Sequence, residues 1–270
     1  MRISPRAFLH RLLTYPLLMP IMPLYSLTTD KKPVLDAFYL VRGFPHGYLK
    51  GKVRIASYNG LRMVFPFEED PSFDDVWLRN VYYPYVPRSS HTVIDVGAHM
   101  GFFTLKVARQ VKEVIAFEPD PQNFMFLVQN IKYNNLSNVK AFNYALGERD
   151  CDIFLERKYG YGRTRVTRNN TKIRAEMKTL DTLVNQLDLH PDVLKIDVEG
   201  YELQVLKGAK KVLACFKPNL IIAAYHYPAE SKEIANYLSE FGFKCFYYHV
   251  PLVLQKANET YVWVDRGKVC

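Results

Sequence analysis

One nine-residue run constrains the fold more than any other part of this 270-residue chain. Residues 93–101 read Val-Ile-Asp-Val-Gly-Ala-His-Met-Gly, so an apolar strand passes through Asp-x-Gly-x-x-x-Gly directly into a helical pattern. Gly97 allows a sharp turn and a close approach to the main chain, because it has no Cβ. Gly101 allows the following helix to begin close to the sheet. A strand, a glycine turn and a helix in this order are typical of α/β proteins.

Strands and helices alternate after this run. Short apolar segments are predicted as strands and amphipathic segments as helices. The predicted strands are 92–96, 113–117, 139–143, 193–197, 220–224 and 243–249, and the predicted helices are 102–110, 121–133, 201–213 and 230–241. Strands separated by helices form a parallel sheet with helices on both faces, and ligands bind at the carboxyl ends of its strands.

The N-terminal part of the chain differs from the rest in charge. Residues 1–66 contain ten Lys and Arg but two Asp and Glu, whereas the remainder is nearly balanced. Residues 12–29 are uncharged, but Pro16, Pro20 and Pro23 interrupt them, so we do not expect a membrane-spanning helix. The segment is interpreted as packing against the main domain or lying on a membrane surface, with a signal or anchor segment as the remaining alternative.

A β-hairpin is predicted before the α/β pattern begins. Two β-rich runs flank Asn59-Gly60, a dipeptide that favours a type I′ turn. Pro66 and an acidic run then mark a boundary, so we divide the chain into an accessory region, 1–75, and a main domain, 76–270. The four cysteines have no paired spacing, which is typical of reduced cysteines, and we expect a cytoplasmic protein that is peripheral at the membrane if its N-terminus binds there.

Acidic residues at the first two strand ends indicate the kind of ligand. The carboxylate of Glu118 can accept hydrogen bonds from both hydroxyls of a ribose. The chain lacks the first glycine of the G-x-G-x-x-G motif, and Asp95 would repel a diphosphate. Asp95 suits the amino group and sulfonium of S-adenosylmethionine, so we expect that cofactor; an NAD-binding fold with a structural aspartate is the alternative.

The expected cofactor site combines the glycine turn with the ends of the next two strands. Ala145 follows the third strand, where main-chain groups commonly meet an adenine edge. The expected cofactor-binding residues are Asp95, Gly97, Ala98, His99, Gly101, Glu118 and Ala145.

These motifs together resemble the FkbM family of S-adenosylmethionine-dependent O-methyltransferases. The resemblance covers about residues 76–250 and is most distinctive over 194–202, Leu-Lys-Ile-Asp-Val-Glu-Gly-Tyr-Glu. A Tyr-His pair at 225–226 resembles one subgroup, whereas His99 departs from the Asn that the family often carries. The resemblance implies a class I methyltransferase (Rossmann-like) fold and methylation of a hydroxyl on a sugar, glycan or polyketide.

Three further residues are candidates for catalysis. Asp197 ends the fourth predicted strand, Glu199 lies two residues on, and His226 follows the fifth strand, so the three are expected to converge at one edge of the sheet. Methyl transfer from a sulfonium to a hydroxyl requires a base, and we favour Asp197 or His226. The three residues can instead ligate a divalent ion, but their spacing does not demand one and no metal is assigned. Glu202, in the first turn of the next helix, is interpreted as structural.

A basic insertion separates the third and fourth predicted strands. From Arg157 to Arg174 it contains seven basic residues and no acidic one. We predict a mobile lid that binds an anionic acceptor, with Tyr159 and Tyr161 stacking on sugar faces; a solvated loop is the alternative.

The expected activity is O-methylation of a sugar, glycan or glycolipid hydroxyl, with an anionic acceptor favoured by the basic insertion. A nucleic-acid methyltransferase is one alternative because of the net charge of +9. However, residues 196–200 place carboxylates where a base-stacking aromatic would be expected, so nucleic acid is not an expected partner. A non-catalytic S-adenosylmethionine-binding module is the second alternative.

Overall fold

The structure is a computed structural model that describes residues 48–50, 53–66, 76–77, 81–82, 85–158, 163–167, 173–249 and 260–264. The N-terminal segment before residue 48 and the two tyrosines of the basic insertion, Tyr159 and Tyr161, lie outside these ranges. Within them, no helix has both the length and the apolar character that crossing a membrane requires.

Fourteen strands and five α-helices are present in the described residues. The strands are β1 (Tyr48–Lys50), β2 (Val53–Tyr58), β3 (Leu61–Pro66), β4 (Thr92–Val96), β5 (Glu113–Phe117), β6 (Val139–Phe142), β7 (Ala145–Leu146), β8 (Cys151–Lys158), β9 (Arg163–Thr167), β10 (Ile173–Lys178), β11 (Val193–Ile196), β12 (Asn219–Ala223), β13 (Phe246–His249) and β14 (Thr260–Val264). The helices are α1 (Phe102–Ala108), α2 (Pro121–Tyr133), α3 (Leu180–Gln186), α4 (Glu202–Lys207) and α5 (Glu230–Ser239), and a short π-helix spans Val212–Phe216.

The central sheet has seven strands in the described part of the chain, in the order β13-β14-β12-β11-β4-β5-β6. The pairs among β12, β11, β4, β5 and β6 are all parallel, which confirms the predicted parallel sheet. β14 was not predicted. It lies between β12 and β13 and is antiparallel to both, so the sheet is mixed at this edge.

Helices cover both faces of this sheet, as the alternating pattern predicts. Val93 packs in the core layer that includes residues of α1, whereas its neighbour Ile94 packs with residues of α3, α4 and α5. The predicted helix over 201–213 is divided, because α4 ends at Gly208 and the π-helix follows. A Cβ on Gly208 would lie 1.9 Å from the main-chain oxygen of Gly147, so the chain passes too close here for any side chain.

The predicted hairpin is confirmed and packs on the main domain. β2 and β3 pair around Asn59 and Gly60, which both have positive φ as a type I′ turn requires. The buried amide of Asn130 in α2 bonds to the main chain of Val64 in β3, accepting at 2.6 Å and donating at 3.1 Å. Asn134 repeats this arrangement one turn later. The hairpin and the α/β domain therefore share one core layer, which includes residues of both.

The described parts of the basic insertion, residues 157–158, 163–167 and 173–174, lie in the strands of a second sheet rather than in a loop, whereas Arg168 and Lys172 lie outside the described residues. β8, β9 and β10 form antiparallel pairs, and β7 adds a parallel edge. The inward residues Leu155 and Met177 are buried in a small apolar core of their own. Pairing satisfies the main-chain groups of this segment, which is why it is ordered as strands despite its charge.

An ion pair joins the insertion to the helix that follows β5. Asp120 caps α2 by accepting from the main-chain N–H of Gln122 and Asn123. The guanidinium of Arg157 donates to both carboxylate oxygens of Asp120, at 2.5 and 2.6 Å, and the Thr164 hydroxyl donates at 3.1 Å. Burial alone would raise the pKa of Asp120, but these hydrogen bonds lower it below its ordinary value. Arg157 thus has a structural partner within the protein.

The ion pair predicts a pH-dependent loss of stability in Asp120→Asn, which keeps a capping side chain but removes the charge. Because the folded pKa is depressed, the stabilisation is present above the unfolded pKa of about 3.9 and is lost as the pH falls through the folded pKa. We expect the variant to lose ~1–3 kcal/mol of unfolding free energy at pH 7 and less at pH 3, measured by urea denaturation. Asp152→Asn, which removes the exposed partner of Arg174, is the control and should change stability little. An equal loss at both pH values would contradict the assignment.

Candidate active site

A cleft opens at the carboxyl ends of β4, β5 and β11. It contains about 920 Å³ of empty space, open solvent at the mouth included. Most of the predicted site residues line it: Gly97, Ala98, His99, Glu118, Ala145, Asp197 and Glu199. Asp95, Gly101 and His226 lie behind its wall.

The turn after β4 brings two strand ends into direct contact. Gly97 has a φ of +75°, and a Cβ at this position would lie 1.9 Å from the main-chain oxygen of Asp197. Glycine is therefore required by the neighbouring strand, as well as by the turn itself. Gly101 also has a positive φ, of +88°. A Cβ at this position would lie 2.7 Å from the side chain of Leu127 in α2.

Glu118 forms part of the opposite wall. Its Oε2 accepts from the main-chain N–H of His99 at 2.8 Å, and its Oε1 accepts from that of Asp120 at 2.9 Å. Burial raises the pKa of Glu118, and these hydrogen bonds partly oppose that shift. Because each carboxylate oxygen has two lone pairs, one acceptor position on each oxygen remains for a ligand.

Asp95 is not among the residues that line the cleft, and its expected contact with a cationic ligand stays a prediction. It is fully buried, with its Oδ1 3.0 Å from the ammonium of Lys195 and its Oδ2 accepting from the Thr104 hydroxyl at 2.6 Å. Lys195 balances its charge from the adjacent strand β11. The sequence motif could not show this, because it does not reveal on which side of the strand the carboxylate finds its partner.

Lys195 is one of the cleft residues that sequence reasoning missed. Its ammonium lines the cleft, donates to the main-chain oxygen of Gly97 at 2.9 Å and lies 5.5 Å from the ring centre of Tyr82. A lysine inside an otherwise apolar strand was the available signal. Tyr82, which precedes the α/β pattern, donates its hydroxyl to Asp197 Oδ2 at 2.6 Å. Nothing in its local sequence marks it as a site residue.

Two further residues near Glu118 were also missed. Asn123, on the first turn of α2, is 2% exposed and lines the cleft, and its Oδ1 has no hydrogen-bond partner among the described residues. Tyr144 also lines the cleft, and its ring stacks on Phe142, with 6.2 Å between ring centres and 8° between planes. An unsatisfied buried acceptor beside Glu118 indicates a ligand that donates hydrogen bonds there.

His226 lies behind Asp197, surrounded by carboxylates. Its Nε2 is 3.6 Å from Asp197 Oδ1 and 3.9 Å from Glu199 Oε2. Its Nδ1 is 3.3 Å from Glu202 Oε1 and 3.4 Å from Glu230 Oε2. The structure thus brings the three predicted catalytic residues together and adds two buried glutamates. Sequence reasoning had assigned Glu202 a structural role and had not singled out Glu230.

The buried glutamates hold main-chain groups as well as facing the histidine. Glu202 accepts from the N–H of Val198 at 2.8 Å, and Glu230 accepts from the N–H of His226 at 2.7 Å. Burial alone would lower the pKa of His226, but Glu202, Glu230 and Asp197 outweigh it and raise that pKa to about 11. Burial raises the pKa of Glu202 to about 7, with His226 opposing the shift. The direction of this pKa shift favours the protonated imidazole when no other cation is bound.

The sheet order and the cleft define the class of protein. A mixed seven-stranded sheet in this order, with a glycine turn after the first strand of the domain and an acidic residue after the second, is the class I methyltransferase fold. The chain belongs to the FkbM methyltransferase family, because the family model for the methyltransferase FkbM domain matches residues 95–245, more than half of the chain. S-adenosylmethionine is the cofactor of this family.

Individual relatives agree with this assignment. The hexuronic acid methyltransferase AglP of Haloferax volcanii is 32% identical over 154 residues, which cover 54% of this chain and 60% of that protein. Methyltransferase 1 of Beauveria bassiana is 25% identical over 142 residues, which cover 43% of this chain and 57% of that protein. The matched region thus spans about three fifths of the length of these relatives.

A solved structure supports the fold. The methyltransferase FkbM from Methylobacillus flagellatus KT superposes with a TM-score of 0.53 at 19% identity and covers 71% of this chain and 47% of that one. At this identity the likeness concerns the fold alone.

The contact at Gly97 predicts a larger effect of Gly97→Ala than of Gly60→Ala. Both glycines have positive φ, but a Cβ on Gly60 would meet only the flexible end of Arg109, at 3.7 Å. Gly60→Ala should therefore show the cost of the backbone conformation alone, whereas Gly97→Ala adds overpacking of about 1–3 kcal/mol. Urea denaturation measures both. Equal losses of unfolding free energy would show that the approach of Asp197 does not constrain this position.

Proposed function

We propose that the protein is an S-adenosylmethionine-dependent O-methyltransferase that acts on a hydroxyl of a sugar, with a uronic acid as the favoured acceptor. The observation that carries this proposal is one cleft with a ribose-type acceptor, Glu118, on one wall and two carboxylates, Asp197 and Glu199, on another. Membership of the FkbM family supports methyl transfer. The relative named as a hexuronic acid methyltransferase supports the acceptor class.

The residues on the Glu118 side fit a nucleoside. Glu118 keeps an acceptor position on each oxygen for ribose hydroxyls, and the unsatisfied Asn123 Oδ1 lies on the same wall. The Tyr144 ring offers an aromatic surface next to Ala145, where an adenine edge was expected. When bound, S-adenosylmethionine supplies a methyl group activated by its positively charged sulfur.

The residues on the Asp197 side are suited to an attacking hydroxyl. Asp197 and Glu199 each have 21% of their side chain exposed, and both line the cleft, so either can accept the hydroxyl proton. We assign the base to one of these carboxylates rather than to His226, because the neighbouring carboxylates raise the pKa of His226. It positions Asp197 from behind, while Tyr82 holds the other oxygen of that carboxylate.

The proposed step is a single displacement. The acceptor oxygen attacks the methyl carbon, the carbon–oxygen bond forms as the carbon–sulfur bond breaks, and the hydroxyl proton passes to a cleft carboxylate. The sulfur leaves as a neutral thioether. Holding the oxygen in line with the bond that breaks supplies much of the acceleration, and the base adds about 10²–10⁴-fold.

Removing the charge of a cleft carboxylate should therefore reduce turnover without removing the cofactor. We expect Asp197→Asn or Glu199→Gln to lower kcat about 10²-fold or more, whereas calorimetry shows S-adenosylmethionine binding within a few-fold of the wild type. Asp188→Asn is the matched control, because the Asp188 side chain is fully exposed. Unchanged kcat in both cleft variants would contradict the assigned role.

The acceptor class is tested with a matched pair of sugars. Glucuronosides and the corresponding glucosides are incubated with isotope-labelled methyl donor, and mass spectrometry identifies any product that has gained one methyl group. We expect the uronate to react with at least ~10-fold higher kcat/KM, because the relative named as a hexuronic acid methyltransferase favours this acceptor class and one charge-assisted contact to the acid group contributes about 1.5–3 kcal/mol. Equal reaction of both sugars would exclude recognition of the acidic group. Methylation of RNA but of neither sugar would overturn the proposed function.

A further inference from the structure

The cluster around His226 contains more acidic than basic groups, although it is buried. Glu202 and Glu230 have fully buried side chains, and His226 is 5% exposed. Among the described residues, His226 is the cation that the structure places against both glutamates, and it also faces Asp197. Buried charges are stable only when they are paired or coordinate a metal, and here three carboxylates share one imidazole.

Unsatisfied polar atoms point to a ligand inside this cluster. Neither ring nitrogen of His226 makes a hydrogen bond of good geometry in the described structure, although Nδ1 lies 3.3 Å from Glu202 Oε1 and Nε2 lies 3.6 Å from Asp197 Oδ1. Glu202 Oε2 and Glu230 Oε1 are likewise buried without a partner. Native proteins rarely leave several such atoms together, and an ion is one of the few groups that satisfy all of them.

The spacing of the side chains fits one ion. One ligand atom from each of Asp197, Glu202 and His226 lies within 4.8 Å of the other two. Two ligands that are each about 2.2 Å from one ion are at most about 4.4 Å apart, so side-chain shifts of a few tenths of an ångström close the site. The 3.6 Å between His226 Nε2 and Asp197 Oδ1 is too long for a hydrogen bond but falls inside this limit.

We propose that Asp197, Glu202 and His226 bind a divalent metal ion of the Mg²⁺ or Mn²⁺ type. Two carboxylates favour these ions, and the single imidazole is compatible with Mn²⁺ in particular. Glu230, which is 3.4 Å from the Nδ1 of His226, orients the imidazole from outside the ligand set. The ion binds the neutral imidazole, so it takes the place of the proton that otherwise balances the cluster.

The proposed metal site adds a role for an ion to the proposed methyl transfer. This catalytic role rests on the proposed function. Asp197 lines the cleft, so an ion bound to it is accessible from the side where the acceptor enters. A uronate that approaches Asp197 and Glu199 would be repelled by them, and a divalent ion removes that repulsion by binding the acceptor oxygens. It also lowers the pKa of a bound hydroxyl. Glu199, which lines the cleft outside the ligand set, then accepts the proton.

Electron paramagnetic resonance with Mn²⁺ tests the site directly on the whole protein. We expect one bound Mn²⁺ per chain and, in spin-echo spectra, nitrogen coupling from a single imidazole. His226→Gln should abolish that coupling, and Glu202→Gln should weaken Mn²⁺ binding at least ~10-fold. His190→Gln is the control, because this histidine is 76% exposed and should leave both signals unchanged. Asp197→Asn, whose side chain is partly exposed, provides a ligand variant if substitutions at the buried positions prevent folding.

The experiment tests the metal site and the proposed function independently, because calorimetry with S-adenosylmethionine is performed on the same samples. If the wild type binds S-adenosylmethionine but leaves millimolar Mn²⁺ free, the metal site is overturned and the methyltransferase proposal stands. Mn²⁺ bound without nitrogen coupling, or equally by all variants, also overturns the site. If Mn²⁺ binds as expected but S-adenosylmethionine does not, the metal site stands and the proposed function fails.

Discussion

The buried ion pair between Asp95 and Lys195 determines the arrangement of the cleft. It joins the carboxyl ends of β4 and β11, the two central strands of the sheet. An ion pair in this position is tolerated only if its remaining hydrogen-bonding capacity is satisfied. Thr104 donates to Asp95, and the Lys195 ammonium also reaches the main-chain oxygens of Val96 and Gly97 at 3.4 and 2.9 Å. The pair therefore fixes the glycine turn as well as the two strands.

This ion pair links the side of the cleft where the cofactor is expected to bind to the side where the acceptor is expected to bind. The turn that holds His99 against Glu118 begins at Gly97, whose Cα lies against the main chain of Asp197. A shift of β11 that moved the Asp197 carboxylate would also move the turn. In the proposed function, main-chain packing between these neighbouring strands would set the distance between methyl donor and acceptor, and such packing is more rigid than a side chain on a loop. Such rigidity is what in-line methyl transfer requires.

The sequence was most informative for elements that depend on residues close together in the chain. The parallel strands, three of the four predicted helices and the Asn59-Gly60 hairpin follow from local periodicity and turn chemistry and are present, whereas the predicted helix over 201–213 is divided and α3 was not predicted. β14 was missed although its sequence, Thr-Tyr-Val-Trp-Val, is rich in β-branched and aromatic residues, and its antiparallel pairing with β12 and β13 is not visible in the local sequence. The contact between Tyr82 and Asp197 joins residues 115 positions apart, which no local pattern reveals. The charge on Asp95 was recognised, but its partner on another strand was not.

The two charged clusters of the site differ in their ratio of acidic to basic groups, and this ratio decides which of them can take up a proton or a metal ion. Asp95 meets Lys195 one to one, so this pair is nearly neutral as a unit. Around His226, three carboxylates face one imidazole, so that end must take up protons or a metal ion before it is stable. Only an unbalanced cluster can exchange its charge with a substrate during turnover. We therefore place the acid–base chemistry of the proposed methyl transfer at this end of the cleft.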